Sequence, residues 1–339
     1  MMTGGIGKAP GQRVPGGHNE FDSLPGGHTA PAWNGYTGAG WPEITKGVPT
    51  VNPWEGKHIW IWELDQSGPV DRIMSQAVAL GLAGVLVKGW DGASFWPQLG
   101  QISLAAHQAG LVVGAWGYSY GRDPAGEAAA ARQALAVGAD WLVIDTEAEY
   151  EAATGAAMAG ELKAAFQSKI GSQVPVAYSS FALPAYHPAF PFAAFEWCNA
   201  ALPQVYWADF GMAPASALTA CLGGYRAFGL PVAPVGQIYG QALPADIETF
   251  LQTAADAGCP GVSFFDWQGA SAANLAAVGV LAYEAGVNPL PQQWQANIVK
   301  QALAAGLIKQ YHEPDAQAPV WFVLQVALNA LAAVGKNTG

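Results

Sequence analysis

The chain reads as an α/β protein: a (β/α)8 barrel between an extended Gly/Pro-rich N-terminal arm and a small C-terminal helical module. Three observations predict this. Between about residues 58 and 285, short apolar runs alternate eight times with helical patterns. The chain is 51% hydrophobic and only 12% charged, which suits strands covered on both faces. The run 141–150, Trp-Leu-Val-Ile-Asp-Thr-Glu-Ala-Glu-Tyr, passes abruptly from apolar residues to carboxylates, as a barrel strand does at its mouth.

Each region follows from its composition. Residues 1–55 are rich in Gly, Pro, Asn and Thr and show no hydrophobic period, the pattern of an arm. Val14-Pro-Gly-Gly-His18 and Leu24-Pro-Gly-Gly-His28 repeat in it as turn formers, and Trp33, Tyr36, Trp41 and Trp54 give it aromatics that favour docking. The TIM-type barrel is assigned to 56–287. Its strands are expected at 59–62, 84–88, 111–116, 141–145, 174–179, 203–207, 231–237 and 261–266. Helices are expected at 70–80, 98–109, 124–137, 157–166, 216–228, 247–257 and 272–285, and Gly81, Gly110 and Gly138 close the first three. A doubly wound open sheet is the alternative, but no GxGxxG follows the first strand. After Asn288-Pro-Leu-Pro291 the alternation stops, and 288–339 holds two helical patterns, 294–305 and 319–333. A module this small must dock on the barrel, pair with another copy, or bind a surface.

Composition also excludes function classes. A formal net charge of −11 and the lack of any Lys/Arg cluster argue against a nucleic-acid partner. Cys198, Cys221 and Cys259 form no CxxC pair and have no His cluster, so neither a metal nor another cofactor is expected. No apolar run has the length of a membrane span, and residues 1–20 lack the apolar stretch of a signal peptide. The expectation is synthesis in the cytoplasm, with release through lysis proteins or carriage in a virion.

The chemistry should sit at the strand ends. In an extended strand Asp145, Glu147 and Glu149 share a face, about 6.6 Å apart along the strand. Crowded like charges push pKa values apart, as acid/base work requires. Glu147 is the expected general acid, with Asp145, deeper in the barrel, ionised and stabilising positive charge. Asp266 or Glu149 would orient water, and Tyr206 with Gln204 would hold an acetamido group or the intermediate. Aromatic faces and polar side chains at the other strand ends suit a sugar polymer: Lys88, Trp90, Trp116, Tyr118, Tyr178, Trp207, Gln237, Tyr239 and Trp267 are the candidate binding residues. Lys88 and Arg122 could equally neutralise the acids. Trp60, Trp62, Phe264 and Phe265 are assigned to core packing, His107 to a structural role and His187 to the surface. No GxSxG supports a Ser/His/Asp triad.

With these residues in place, the barrel resembles the glycoside-hydrolase-like TIM barrels of phage endolysins. Asp145-Thr-Glu147 is similar to the Asp-x-Glu pair that ends the fourth strand of glycoside hydrolase family 25 lysozymes. That resemblance implies that Glu147 is the general acid. Tyr206-Trp207 and Asp266-Trp267-Gln268 look similar in kind to strand ends of lysozyme-like and chitinase-like barrels. The stretch 294–308, with Tyr311-His-Glu-Pro-Asp315 and Ala318-Pro-Val-Trp-Phe-Val-Leu324, resembles an S-layer-homology-type helical module. Trp321-Phe-Val-Leu324 stands where that module has Thr-Arg-Ala-Glu, which favours docking or self-association. Together they imply a peptidoglycan-degrading glycosidase whose partner is a bacterial cell-wall glycan. Homo-oligomer or virion contacts would run through the arm or the C-terminal helices. The alternative is a non-catalytic virion or cell-surface protein that uses the barrel as a carbohydrate-binding scaffold.

Overall fold

A computed structural model describes residues 52–283. The arm before residue 52 and the module after 283 lie outside the described residues. Nine strands follow in chain order: β1 (Gly56–Ile61), β2 (Gly84–Asp91), β3 (Ser94–Phe95), β4 (Val112–Ser119), β5 (Trp141–Thr146), β6 (Val176–Phe181), β7 (Ala200–Val205), β8 (Val235–Gln237) and β9 (Gly261–Phe265). All except β3 run parallel in one ring, which the β1–β2 and β1–β9 pairings close. The short β3 folds back on β2 as an antiparallel hairpin. This is a closed (β/α)8 TIM barrel.

Among the described residues, eight α-helices connect or follow the strands: α1 (Leu64–Ser67), α2 (Val70–Ala79), α3 (Leu99–Gln108), α4 (Pro124–Ala136), α5 (Gly155–Lys169), α6 (Pro214–Tyr225), α7 (Pro244–Asp256) and α8 (Ala272–Val278). Local chemistry sets their ends. Asp123 caps α4 by accepting the Gly126 N–H at 2.9 Å, and Ser271 caps α8 by accepting that of Asn274 at 3.1 Å. Past the end of α4, Gly138 takes φ +121°, and a Cβ there would meet Ser103 Oγ at 2.6 Å. Among the described residues, no helix is long and apolar enough to cross a membrane.

Two cores follow from strand alternation. Ile59, Ile61, Val85, Val87, Leu142 and Ile144 face outward against the helices. Trp60, Leu86, Trp116, Val143, Ala177, Leu202 and Val235 fill the barrel. The inner core is lopsided: indoles from β1, β4 and β5 lie across from Ala177, Ala200 and Ala233. Trp54, assigned from sequence to the arm, is buried in this inner core, edge-on to Trp141 at 6.4 Å. The barrel therefore begins before residue 56.

Two basic side chains near the start of β1 are also buried. Lys57 donates to the carbonyls of Val278 (2.8 Å) and Leu281 (2.7 Å), satisfying chain that follows α8, and burial lowers its pKa. Burial pushes His58 down to about 4, so it is neutral near pH 7. Some strand bounds differ from expectation. β8 is reduced to Val235–Gln237 because Pro231 and Pro234 lack the N–H a ladder needs. β7 starts early, at Ala200, where two alanines give little strand signal.

Candidate active site

β5 delivers the acids, but not along one extended line. Asp145 is an inward residue of the strand, 7% exposed. The strand ends at Thr146, whose hydroxyl donates to the Ser179 carbonyl at 3.2 Å. Glu147 then opens a 3-10 turn, Ala148–Glu151, so Glu149 sits on the turn rather than on the strand face. Tyr118 from β4 holds Glu149, donating its hydroxyl at 2.7 Å. The expected row of three becomes a close pair plus an outlier.

Gln204 of β7 makes the pair. Its Nε2 donates to Asp145 Oδ1 at 2.9 Å and Glu147 Oε1 at 3.0 Å, and reaches Ser179 Oγ at 3.3 Å. Burial, and then Glu147, push Asp145 well above the usual carboxylate range, against Lys88, Ser179 and Gln204. Burial also raises Glu147, with Glu149 adding to it and Gln204 opposing it. Burial and the neighbouring Glu147 therefore oppose the ionised Asp145 expected from sequence, while Lys88, Ser179 and Gln204 favour it. Desolvation outweighs the groups that oppose it, Gln204 for both acids with Ser179 and Lys88 for Asp145.

Tyr206 and Asp266 join from the far side. Tyr206 is 4% exposed, with its ring centroid 5.7 Å from Tyr239 and 5.9 Å from Phe265. Burial, then Tyr239, Asp145, Glu147 and Asp266, raise its pKa. Its hydroxyl makes no hydrogen bond to the described residues. Asp266 accepts the Gly269 N–H at 3.2 Å, and burial pushes its carboxyl up to about 6. Gln237 and Tyr239 are tied to Asp209, which accepts Gln237 Nε2 at 2.9 Å and the Tyr239 hydroxyl at 2.6 Å. Gln237 Oε1 in turn accepts the Ala208 N–H at 3.0 Å. Gln237 is fully buried, so it braces the loop after β7 rather than reaching for a ligand.

Lys88 is 2% exposed, and its ammonium donates to Asp91 at 2.6 Å. The indoles of Trp96 (4.5 Å), Trp116 (5.1 Å) and Trp62 (5.2 Å) surround it. Trp116, 3% exposed, donates Nε1 to the Ile61 carbonyl at 3.2 Å and forms the wall beneath this cage.

Four predicted binding residues do not reach the mouth. Trp90 is two residues from Lys88, yet a bulge between them turns it to the helix side. There it covers Gly117, where a Cβ would lie 2.1 Å from the indole. Tyr178 stacks on Phe195 at 5.1 Å, and Trp207 lies 5.2 Å from Phe250. Trp267 is buried in the same outer core. Tyr178 and Trp207 adjoin the inward residues Ser179 and Tyr206, so strict alternation places them outside.

Other mouth residues were missed or misassigned. Trp62, read as core, is half-buried at the mouth, as are Trp96, which was missed, and the strand-end residues Asp91 and Tyr120. The Asp91-Gly92 dipeptide between Trp90 and Phe95 is the hairpin signal that could have located Trp96. Asp209 had no local signal. Among the described residues, no group of three or more His, Cys, Asp or Glu could hold a metal ion. A groove of about 500 Å³ between α2 and α8, lined by Arg72, Gln76 and Gln268 among others, contains none of the site carboxyls.

No family model matches the sequence, and no curated protein matches it. Solved structures are similar in fold. A chitinase from Chromobacterium violaceum aligns over 68% of this chain and 100% of its own, with TM-score 0.51 and 11% identity. The GH18 chitinase ChiB of Flavobacterium johnsoniae covers 67% of this chain and 94% of its own (TM-score 0.49, 8% identity). The spore cortex-lytic enzyme SleL of Bacillus megaterium covers 66% and 73% (TM-score 0.46, 10% identity). At such identities the likeness is one of fold. The family 25 lysozyme resemblance and the C-terminal module gain nothing from these matches.

Proposed function

We propose that the chain is a glycoside hydrolase acting on a bacterial cell-wall glycan, with Glu147 as general acid and Asp145 as its electrostatic partner. The observation that carries the reading is the single Gln204 amide that holds Asp145 and Glu147 together at the mouth. Burial raises both carboxyls, so the pair keeps a proton to deliver at higher pH than solvated carboxyls would. Glu147 is half-buried and therefore open to a leaving-group oxygen, while Asp145 lies deeper. When Glu147 gives up its proton, Asp145 stabilises the positive charge that builds on the sugar. The Tyr206 hydroxyl is left for a polar substituent of the ring, and Asp266 for water.

The bridged oxygens lie within the sum of the two Gln204 distances, about 6 Å. Water therefore has no room between Asp145 and Glu147 and enters at Asp266, so the anomeric outcome is set by the face of the sugar that Asp266 serves. NMR of the first-formed anomer reads this directly. The peptidoglycan reading extends the proposal, with delivery through lysis proteins or a virion and contacts between copies or to virion neighbours. Its test is purified cell walls: Glu147→Gln should abolish reducing-end release while the protein still sediments with the walls. Undiminished release from that variant would remove Glu147 from the chemistry.

A further inference from the structure

The β2–β3 hairpin carries a feature that the carboxyl pair does not explain. Trp90 pairs with Phe95 and Asp91 with Ser94, and the Trp96 N–H donates to the Gly89 carbonyl at 2.8 Å. This sets the half-buried Trp96 indole against Lys88, whose ammonium is spent on Asp91. Asp91 pairs along the ladder with Tyr118 of β4, and Tyr118 holds Glu149. Tyr120, its ring 4.8 Å from that of Tyr118, lies against Asp91; burial, with Asp91 beside it, pushes the Tyr120 hydroxyl up to about 12. One side of the mouth therefore carries an indole and two half-buried carboxylates, Glu149 held by Tyr118 of β4 and Asp91 beside Tyr120, which follows that strand.

The carboxyl oxygens of Asp91 and Glu149 offer acceptors, so they suit hydroxyl and amide N–H donors. An indole face suits the apolar face of a pyranose. A carboxylate on the sugar would face Asp91, Glu149 and the Asp145–Glu147 pair. The two cations close by are engaged: Lys88 is buried and paired with Asp91, and the exposed Arg122 lies over the Tyr120 ring, 5.9 Å from its centroid.

We propose that Trp96, Asp91 and Glu149 form a subsite for an uncharged sugar ring next to the carboxyl pair, and that this subsite rejects rings bearing a carboxylate. The proposal rests on the glycan reading above only in taking the ligand to be a sugar chain. In an alternating polymer such a subsite fixes the register, and so which of the two linkages reaches Glu147.

The test is calorimetric binding to the full-length Glu147→Gln chain, so that turnover does not enter. The ligands are the N-acetylglucosamine hexamer and the same hexamer oxidised to the carboxylate at C6. The neutral hexamer should bind at least about tenfold more tightly, and adding Trp96→Ala should weaken it by about tenfold, with an unchanged melting temperature. Adding Glu149→Gln should strengthen binding of the oxidised hexamer, a gain that misfolding does not produce. Equal affinities, no effect of Trp96→Ala, or no binding of either hexamer would each overturn the subsite. Wild-type protein that binds as described but releases no reducing ends would sustain the subsite and remove the hydrolase reading instead.

Discussion

Glu127 lies on the helix side of β4, where its carboxylate accepts hydrogen bonds from the Ser119 hydroxyl and the Tyr120 and Gly121 N–H groups. Asp145 and Glu147, on the inner side of the neighbouring β5, share one Gln204 nitrogen. Burial raises the pKa of all three. The difference lies in supply. Glu127 is 1% exposed and met by three donors, two from the backbone, so it anchors the loop that follows β4. The mouth pair is held only by side chains, Gln204 for both and Ser179 for Asp145, and opens towards solvent at Glu147. Unmet hydrogen-bonding capacity in a cleft is what a ligand can use, whereas capacity met by backbone is a structural joint.

That contrast can be broken from either side. The largest effect is expected at Glu147: Glu147→Gln should lower kcat by on the order of a hundred- to ten-thousand-fold, with the urea midpoint unmoved. Glu127→Ala should do the reverse. It strands buried donors, so stability should fall by about 1–3 kcal/mol, read as a lower urea midpoint at an unchanged slope, with activity per folded molecule kept. A large loss of kcat in that variant would erase the distinction. Gln204→Ala should free the two acids from each other and reduce activity roughly ten- to a hundredfold, with a shifted pH profile, since the shared donor is gone.

The smallest effect concerns pH. Asp266 is raised from 3.8 to about 6, so between those values the folded chain holds a proton that the unfolded chain has lost. Stability from this group is therefore full below pH 3.8 and declines as pH rises towards 6; Asp145 and Glu147 act in the same direction. Thermal melts across that window should fall more steeply for the wild type than for Asp266→Asn. Parallel curves would place Asp266 in an ordinary, solvated setting.

Much of this arrangement was legible because alternation is strict. The order of the strands and the inward positions of Asp145, Gln204 and Tyr206 follow from a period of two and a hydrophobic run. Applied strictly, the same period puts Tyr178 and Trp207 outside, and what escaped it altogether involves departures from it. The bulge after Lys88 turned Trp90 outward, and the 3-10 turn at 148–151 took Glu149 off the strand. Trp62 was hidden by its assignment to the core, and Trp96 by a hairpin whose only signal is Asp91-Gly92. Asp209 lies in a loop whose course depends on β7 and β8 together, so nothing local marks its tie to Tyr239.

Lys57 joins the beginning of the ring to its end. Its ammonium, 2% exposed, is held by carbonyls at Val278 and Leu281, more than two hundred residues away. A chain cut just before 278 would strand a positive charge in a dry setting, whereas one cut just after 283 would keep both acceptors. For anyone trimming this protein to a minimal crystallisable unit, that clasp marks where the scissors should stop.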